Sequence, residues 1–313
     1  MTLSMVFPGQ GSQSIAMQAE LGGQFPEVQA TYAEASEVLG YDLWKLAQEG
    51  PKEKLDETVV TQPVMMTAGV AAWRVWQNAG GESPSLLAGH SLGEYTALVC
   101  AGVIEFPDAI RLIRRRAELM QQAVPAGEGA MAAILGLDDE AVLSVCREAQ
   151  EGEVVQAVNF NTPGQVVIAG ARSAVERATE LATNAGARRA LLLSVSVPAH
   201  SDLMQPAADK LAEALAATNL TPPLIPVISN ADVLAYESVE QIRDGLRRQL
   251  FSPVRWAETI HYMIEHGTTR LIECGPGKVL AGLMRRIDRS LASSCLDSPA
   301  ALETAIEQGN EDE

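Results

Sequence analysis

The chain has 313 residues, which is long enough for one large domain with an insertion or for two domains. Hydrophobic residues make up 47% of it and charged residues 20%, an ordinary balance for a globular protein, and its apolar runs are far too short to cross a membrane. The formal net charge of −17 argues against general nucleic-acid binding, which needs a basic surface. Any acidic ligand would therefore need a local basic patch.

The N-terminus and the cysteines both favour a cytoplasmic protein. The opening residues, MTLSMVFPGQG, contain neither a basic segment nor a long apolar core, so we expect no signal peptide. The cysteines show neither metal-binding nor redox spacing, which is typical of buried thiols in a reducing compartment. They are Cys100, Cys146, Cys274 and Cys295. We therefore expect no metal site.

Four short apolar runs predict the strands of a parallel sheet. Each run is bounded by glycine or proline, and helical patterns lie between them, as in α/β folds with helices on both faces of the sheet. The predicted strands cover residues 3–7, 85–90, 223–229 and 269–274.

Residues 130–197 follow a different pattern, strand-helix-strand-strand-helix-strand, which predicts a split βαβ unit of ferredoxin-like type. The loop 124–129 separates this unit from the preceding helix. We expect the tail to be a short helix with a frayed acidic end. The predicted domains are an α/β core of residues 1–125 and 198–290, an inserted subdomain of residues 126–197, and an acidic C-terminal tail of residues 291–313.

Residues 89–93, Gly-His-Ser-Leu-Gly, match the G-x-S-x-G pattern of a nucleophile on a sharp turn between a strand and a helix. An apolar run precedes the pattern, and the helix-compatible segment LGEYTALVCAG follows Ser91. The glycines permit a tight turn, and free N–H groups at the helix start favour developing negative charge. The alternative is a serine that caps the helix, with the glycines there for packing. The context favours the nucleophile.

A nucleophilic serine needs a base, and the chain offers four histidines. His90 adjoins Ser91 on the turn and would diverge from it, and His261 and His266 lie in a helix where surface or end-capping roles suffice. His200 follows the last strand of the insertion, at the seam between domains where clefts form. Elimination points to His200 as the base, and a structural role for this loop histidine is an equal alternative. No acidic residue stands out as a third triad member, which leaves a carbonyl oxygen as the group that would hold the imidazole.

The helix predicted over residues 107–122 carries one arginine on its apolar side. At about 100° per residue, Arg111, Arg114 and Arg115 fall outside the apolar face, whereas Arg116 falls within it. A buried guanidinium is costly unless paired, so Arg116 would meet an internal carboxylate or an anionic ligand. The alternative, in which its stem packs and its head reaches solvent, is slightly favoured by the residues alone.

Seven motifs occur together in one order along the chain. They are FPGQGSQ (7–13), TQPVMM (61–66), GHSLGEYTAL (89–98), RRRAELMQ (114–121), NTPGQVVIAG (161–170), VPAHSDLM (197–204) and ECGPGKVL (273–280). Together they strongly resemble the malonyl-CoA:acyl carrier protein transacylases of type II fatty acid synthesis, over residues 3–286. The resemblance implies a hydrolase-like α/β core with an inserted ferredoxin-like subdomain, which agrees with the predicted elements.

The resemblance also implies roles for individual residues. Ser91 would be the acyl-accepting nucleophile, His200 its base, and Arg116 the group that holds the malonyl carboxylate. Further implied positions are the backbone N–H groups of Gln10 and Leu92 as an oxyanion hole, the main-chain carbonyl of Gln249 as the group that orients the histidine, and Gln62 and Asn161 in the pocket. One departure is Ala199, where relatives often carry serine, and the motifs do not exclude methylmalonyl.

The implied reaction has two halves. Ser91 attacks malonyl-CoA and CoA leaves; the phosphopantetheine thiol of a holo-acyl carrier protein then takes the malonyl group. The implied partners are malonyl-CoA and the carrier, with no cofactor, nucleic acid or membrane, and we expect a cytoplasmic monomer. Because both partners are acidic, we predict a basic patch, with a solvated basic helix end as an equal alternative. The patch comprises Arg188, Arg189, Lys278, Arg285 and Arg286.

Three other functions compete with this one. A serine esterase or thioesterase shares G-x-S-x-G, but it predicts neither an inward arginine nor the inserted unit, and it needs an acid. An acyltransferase-like partner module of polyketide synthesis is disfavoured by the free-standing chain. A non-catalytic binding protein is disfavoured by the intact Ser91 and His200.

Overall fold

The computed structural model describes residues 2–195 and 197–310. Within these residues, no helix is long and apolar enough to cross a membrane. The strands, in chain order, are β1 (Leu3–Phe7), β2 (Leu86–Gly89), β3 (Gly129–Leu135), β4 (Val155–Thr162), β5 (Gln165–Ala171), β6 (Arg189–Leu192), β7 (Val227–Ile228), β8 (Arg270–Glu273) and β9 (Ala292–Cys295).

The helices of the first half of the chain are α1 (Ala19–Gln24), α2 (Pro26–Leu39), α3 (Leu43–Glu49), α4 (Lys52–Leu55), α5 (Thr58–Asn78), α6 (Leu92–Cys100), α7 (Phe106–Ala123) and α8 (Asp139–Ala149). Those of the second half are α9 (Arg172–Asn184), α10 (Gln205–Ala217), α11 (Val239–Gln249), α12 (Trp256–Glu265), α13 (Val279–Ile287) and α14 (Pro299–Asn310), with a short 3₁₀ helix at Asp202–Met204 before α10.

The core sheet is parallel and has the strand order β7-β2-β1-β8-β9. Strand β1 lies at its centre, with Met5 opposite Leu87 of β2 and Ile272 of β8. All five residues of β1 are buried, as expected for a strand covered on both faces. The strand predicted over 223–229 is reduced to Val227–Ile228, because the prolines of the TPPLIP segment before it lack the N–H that a ladder needs.

The C-terminal segment adds a strand and a helix to this core. Strand β9 pairs with β8 in parallel, and α14 buries Leu302 and Ala305 against the core. Arg270 of β8 donates a hydrogen bond to the carbonyl of Ala305 at 3.0 Å. The short helix expected in this segment is present as α14, strand β9 was not predicted, and the domain limit at residue 291 stays a prediction. The segment Ala-Ser-Ser-Cys of β9 has no apolar run, so no local pattern indicated a strand. The final acidic residues 311–313 lie outside the described residues.

The inserted unit forms a second, antiparallel sheet of order β4-β5-β3-β6, with α8 and α9 packed against it. It has its own apolar core, in which Ile134, Val142 and Ile168 are fully buried. Its last strand ends at Leu192, earlier than the predicted end at 197, and residue 196 lies outside the described residues. The α/β fold class with a ferredoxin-like insertion is confirmed; the domain limits 126 and 197 stay a prediction.

The two sheets are joined where β4 runs past the core. The Phe160 N–H donates to the carbonyl of Val254 at 2.9 Å, and the Val254 N–H donates to the carbonyl of Val158 at 2.8 Å. Helices α12 and α13 of the core also pack against β4. A cleft therefore forms between the carboxyl end of the core sheet and one face of the inserted sheet, as is common where two domains meet.

Candidate active site

Ser91 occupies a strained turn between β2 and α6. Its φ of 54° and ψ of −110° lie in a region that a residue with a Cβ rarely adopts, and strain of this kind concentrates at functional sites. The Ser91 N–H donates to Oδ1 of Asn230 at 2.8 Å, and Nδ2 of Asn230 donates to the carbonyl of Gly89 at 2.7 Å. Asn230 thus ties both sides of the turn together.

The two glycines of the pattern are required by close backbone contacts. A Cβ at Gly93 would lie 2.1 Å from the Phe7 carbonyl oxygen, and a Cβ at Gly89 would lie 1.9 Å from the carbonyl carbon of Gly93. Neither neighbour is a flexible side chain that can move aside. The turn can approach β1 this closely only because both positions lack a side chain.

We expect Gly93→Ala to lower the free energy of unfolding by about 2 kcal/mol or more, because the added methyl group meets fixed backbone. Urea denaturation measures this loss. The matched control is Gly282→Ala in α13, where a Cβ would meet nothing within 4 Å. Alanine should raise helix stability there by about 0.5–1 kcal/mol. Equal stabilities of the two variants would contradict the close approach.

His200 lies beside Ser91 although 109 residues separate them in the chain. Its Nε2 is 2.8 Å from Oγ of Ser91, and its Nδ1 is 2.7 Å from the main-chain carbonyl of Gln249. A carbonyl only accepts hydrogen bonds, so Nδ1 carries the proton and the Nε2 lone pair faces the serine. Burial, and next the charge of Arg116, lower the pKa of His200 to about 3, so the imidazole is neutral near pH 7 and its Nε2 lone pair is free.

The other histidines do not reach Ser91. Nε2 of His90 is 2.8 Å from Oδ1 of Asn161, and its ring packs against Trp256. Asn161 therefore lies behind His90 and does not line the cavity at Ser91, which departs from the pocket position expected for it. His266 ends α12 with Nδ1 2.7 Å from the carbonyl of Tyr262, in the end-capping role expected for it.

Arg116 is 1% exposed and points into the cavity at Ser91. Its Nη1 donates to Oε1 of Gln62 at 2.8 Å, and its Nη2 donates to Oε1 of Gln249 at 2.9 Å and to Oγ of Ser91 at 3.3 Å. The alternative in which its head reaches solvent, slightly favoured by the residues alone, is therefore wrong. Helix α7 packs between α5 and α10 in the core, and amide oxygens on α5 and α11 hold the guanidinium there.

The charge of Arg116 is not neutralised by direct pairing. Among residues 2–195 and 197–310, no carboxylate lies within 4.0 Å of its guanidinium nitrogens, and its Nε has no hydrogen-bond partner. The ring of Tyr95 lies beneath the guanidinium, with its centroid 5.3 Å away. A buried cation held by neutral groups next to a serine is an arrangement that suits a carboxylate ligand.

The cavity between the two domains has a volume of about 130 Å³. Gln10 and Leu92 line it beside Ser91, and α6 begins at Leu92, so the Leu92 N–H has no acceptor within its own helix. Gly9 brings the Gln10 loop against the turn, since a Cβ there would lie 2.6 Å from the carbonyl oxygen of His90. That the two backbone N–H groups serve one oxyanion stays a prediction.

Some residues of this site went unnoticed in the sequence. Asn159 lines the cavity with an unpartnered, buried Oδ1, whereas the sequence motif pointed to Asn161 two positions later. Asn230 follows β7 and Glu94 follows Ser91 by three residues, and neither belongs to a spacing that indicates chemistry. Their importance depends on contacts between distant segments.

The predicted basic patch is divided in the structure. Arg189 of β6 is in register with Leu135, which pairs with Gln165, and Oε1 of Gln165 accepts a hydrogen bond from Arg286 at 2.9 Å. Arg188, Arg189, Arg285 and Arg286 are exposed, and no carboxylate pairs with them in the part of the chain that the structure describes. Lys278 stands at the opposite end of α13 and is paired with Asp297 at 3.2 Å.

The fold and the site define an acyltransferase. Residues 4–300 match the family model of the acyl transferase domain. The chain belongs to this family and, within it, to the malonyl CoA-acyl carrier protein transacylases. It is 55% identical over 305 residues to the malonyl CoA-acyl carrier protein transacylase of Salmonella typhimurium, which covers 97% of this chain and 99% of the relative. The transacylase of Bacillus subtilis strain 168 is 46% identical and covers 97% of this chain and 96% of the relative.

Solved structures agree with this family assignment. A malonyl-transacylase in complex with its type II PKS acyl-carrier protein has a TM-score of 0.97 and 55% identity, covering 98% of this chain and 100% of that one. An acyl carrier protein S-malonyltransferase from Vibrio cholerae has a TM-score of 0.95 and 57% identity, covering 97% of this chain and 99% of that one. The family resemblance drawn from the seven motifs is thus confirmed.

Proposed function

We propose that the chain transfers the malonyl group of malonyl-CoA to the phosphopantetheine thiol of a holo-acyl carrier protein, and so supplies extender units for fatty acid synthesis. The relatives bear this activity in their names. The observation that carries the proposal is the unpaired guanidinium of Arg116, whose Nη2 is 3.3 Å from Oγ of Ser91. An esterase has no use for a buried cation at that place.

In the first half-reaction, Oγ of Ser91 attacks the thioester carbonyl while Nε2 of His200 accepts its proton. The N–H groups of Gln10 and Leu92 stabilise the oxyanion, and Arg116 holds the distal carboxylate. Collapse of the intermediate breaks the C–S bond, and His200 returns the proton to the CoA thiolate. The carbonyl of Gln249 keeps the imidazole in the required tautomer, so the site needs no acidic third member.

In the second half-reaction, the phosphopantetheine thiol of the carrier enters the same cavity. His200 takes the thiol proton, the thiolate attacks malonyl-Ser91, and Ser91 leaves with the proton that His200 returns. The two acyl acceptors therefore use one set of groups in turn, which is a ping-pong mechanism.

The test is the intact mass of the protein after brief mixing with malonyl-CoA, followed by addition of the holo-carrier. We expect a malonyl increment that disappears as the carrier gains the same mass. Release of CoA with free malonate and no acylated protein would instead indicate a hydrolase. If no reaction occurs, the non-catalytic binding protein is the remaining interpretation.

The carrier also needs a docking surface on a chain whose net charge is −17. We expect Arg285→Glu with Arg286→Glu to raise KM for the holo-carrier about tenfold at low salt, and less at high salt, because surface charges act on encounter and are screened. Steady-state transfer at several salt concentrations measures this. Lys45→Glu with Lys210→Glu, on α3 and α10, makes the same change in net charge and should leave KM nearly unchanged. Equal effects of the two double variants would exclude a local patch.

A further inference from the structure

Glu94 is a fully buried carboxyl that the mechanism above leaves unused. It lies in the first turn of α6, three residues after Ser91, and is 0% exposed. Its Oε1 accepts from the hydroxyl of Tyr236 at 2.5 Å, and its Oε2 accepts from Nε2 of Gln249 at 2.7 Å and from the N–H of Asn230 at 3.2 Å. A buried carboxyl with three donors is part of a specific network, because any unmet bond there would be costly.

The contacts of the Gln249 side chain determine which way its amide faces. Nε2 lies 2.7 Å from Oε2 of Glu94 and 2.8 Å from the carbonyl of Ser91, and both of these accept hydrogen bonds. Oε1 lies 2.9 Å from Nη2 of Arg116, which can only donate. A half-turn of the amide would set an oxygen against two acceptors and an NH₂ group against the guanidinium. Of the two acceptors, Glu94 is the one that can carry a charge, and it forms the shorter bond.

We propose that Glu94 is a positioning residue that locks the Gln249 amide, so that its Oε1 holds Arg116 in place to receive the acyl carboxylate. This inference rests on the proposed function. Gln62 fixes only Nη1 of the guanidinium, so Nη2 depends on Gln249 for its placement beside Ser91. Glu94 therefore acts on the acyl preference of the site without touching substrate.

The required feature of Glu94 is an acceptor oxygen at the Oε2 position. Burial raises the pKa of Glu94 to about 7, while its hydrogen bonds to Tyr236 and Gln249 and the charge of Arg116 oppose that rise. Both protonation states keep an acceptor toward Gln249 when the proton sits on Oε1. Glutamine at this position would also keep that acceptor, whereas leucine would fill similar space and provide none.

The experiment compares wild type, Glu94→Leu, Glu94→Asp and Glu94→Gln in single-turnover acylation of Ser91 by malonyl-CoA and by acetyl-CoA, which lacks the carboxylate. For Glu94→Leu we expect the half-saturating concentration of malonyl-CoA to rise about tenfold or more, with acetyl transfer within about threefold of wild type. In Glu94→Asp the shorter side chain withdraws the carboxylate oxygen from Gln249, so malonyl-CoA should again be affected more than acetyl-CoA, but to a smaller degree. This variant tests the proposal if the leucine variant does not fold. Glu94→Gln should retain the malonyl preference.

Equal losses with both substrates would mean a purely structural role and would overturn the proposal. So would an unchanged malonyl preference in both Glu94→Leu and Glu94→Asp. Tighter malonyl-CoA binding in Glu94→Leu and Glu94→Gln would show that Glu94 acts as a counter-charge to Arg116, which would also overturn it. No acylation of the wild type would instead remove the proposed function, and this inference with it.

Discussion

Ser91→Ala is expected to form no covalent adduct with malonyl-CoA, and malonyl transfer to the holo-carrier should fall by about 10⁴-fold or more. The reason is that His200 would then face a methyl group, so no group on the protein could take the acyl chain. Intact-mass measurement after mixing, together with steady-state transfer, tests both statements. The size of this loss exceeds that expected from any other single change described above, since it removes the bond-forming atom.

The matched control for this change is Ser173→Ala on α9, where the hydroxyl donates to Glu153 at the surface. It should acylate at the wild-type rate. A malonyl adduct on the Ser91→Ala protein would show that another side chain is the nucleophile. Residual transfer without an adduct would indicate direct attack by the carrier thiol on malonyl-CoA held in the cavity.

Arg116→Ala is expected to lower kcat/KM for malonyl-CoA by about 10²-fold or more, because the acyl carboxylate would enter a buried site with no cation to pair with it. Acetyl-CoA makes no such contact, so its slow acylation should change much less. In the wild type acetyl-CoA leaves the guanidinium without its anion, which costs about 1–3 kcal/mol or more. The variant should therefore lose most of its preference for malonyl.

Arg111→Ala serves as the control, because this arginine lies on the same helix with its side chain 62% exposed and paired with Asp108. It should keep the wild-type kcat/KM with both substrates. Equal losses for malonyl and acetyl groups in Arg116→Ala would mean that the guanidinium supports the fold of the cavity and does not select the acyl group. Arg116→Lys should recover part of the malonyl rate, because an ammonium keeps the charge but not the two parallel hydrogen bonds.

The elements that sequence alone could predict are those whose signal is local. Strand β1 matches its predicted limits because a short apolar run that ends at a proline is typical of a buried strand. The turn at Ser91 has a local signal too, because glycine on both sides of a serine, between a predicted strand and a predicted helix, predicts a tight turn. Strand β9 was missed because it depends on an unpaired edge of β8 rather than on its own residues.

The active site likewise has features that the sequence predicts and features that depend on contacts between distant segments. The residue types were visible in the sequence, and the order of seven motifs was enough to indicate the family and the roles it implies. The distances between segments cannot be read from the sequence. Elimination therefore made His200 as the base and His200 as a structural loop residue equally favoured. Periodicity placed Arg116 on the apolar face of its helix without deciding where its guanidinium points.

The sequence by itself determined the fold class, the tight turn that carries Ser91 and the family, because each is encoded in neighbouring residues or in a string of motifs. Only the tertiary structure decided that Nε2 of His200 lies 2.8 Å from Oγ of Ser91, that Gln62 and Gln249 hold Arg116 inward, and that Glu94 accepts a hydrogen bond from the Gln249 amide. These contacts join helices and loops that are far apart in the chain. Burial then sets their energies, since a charge or an amide enclosed by protein must find its partners among whatever the fold brings beside it.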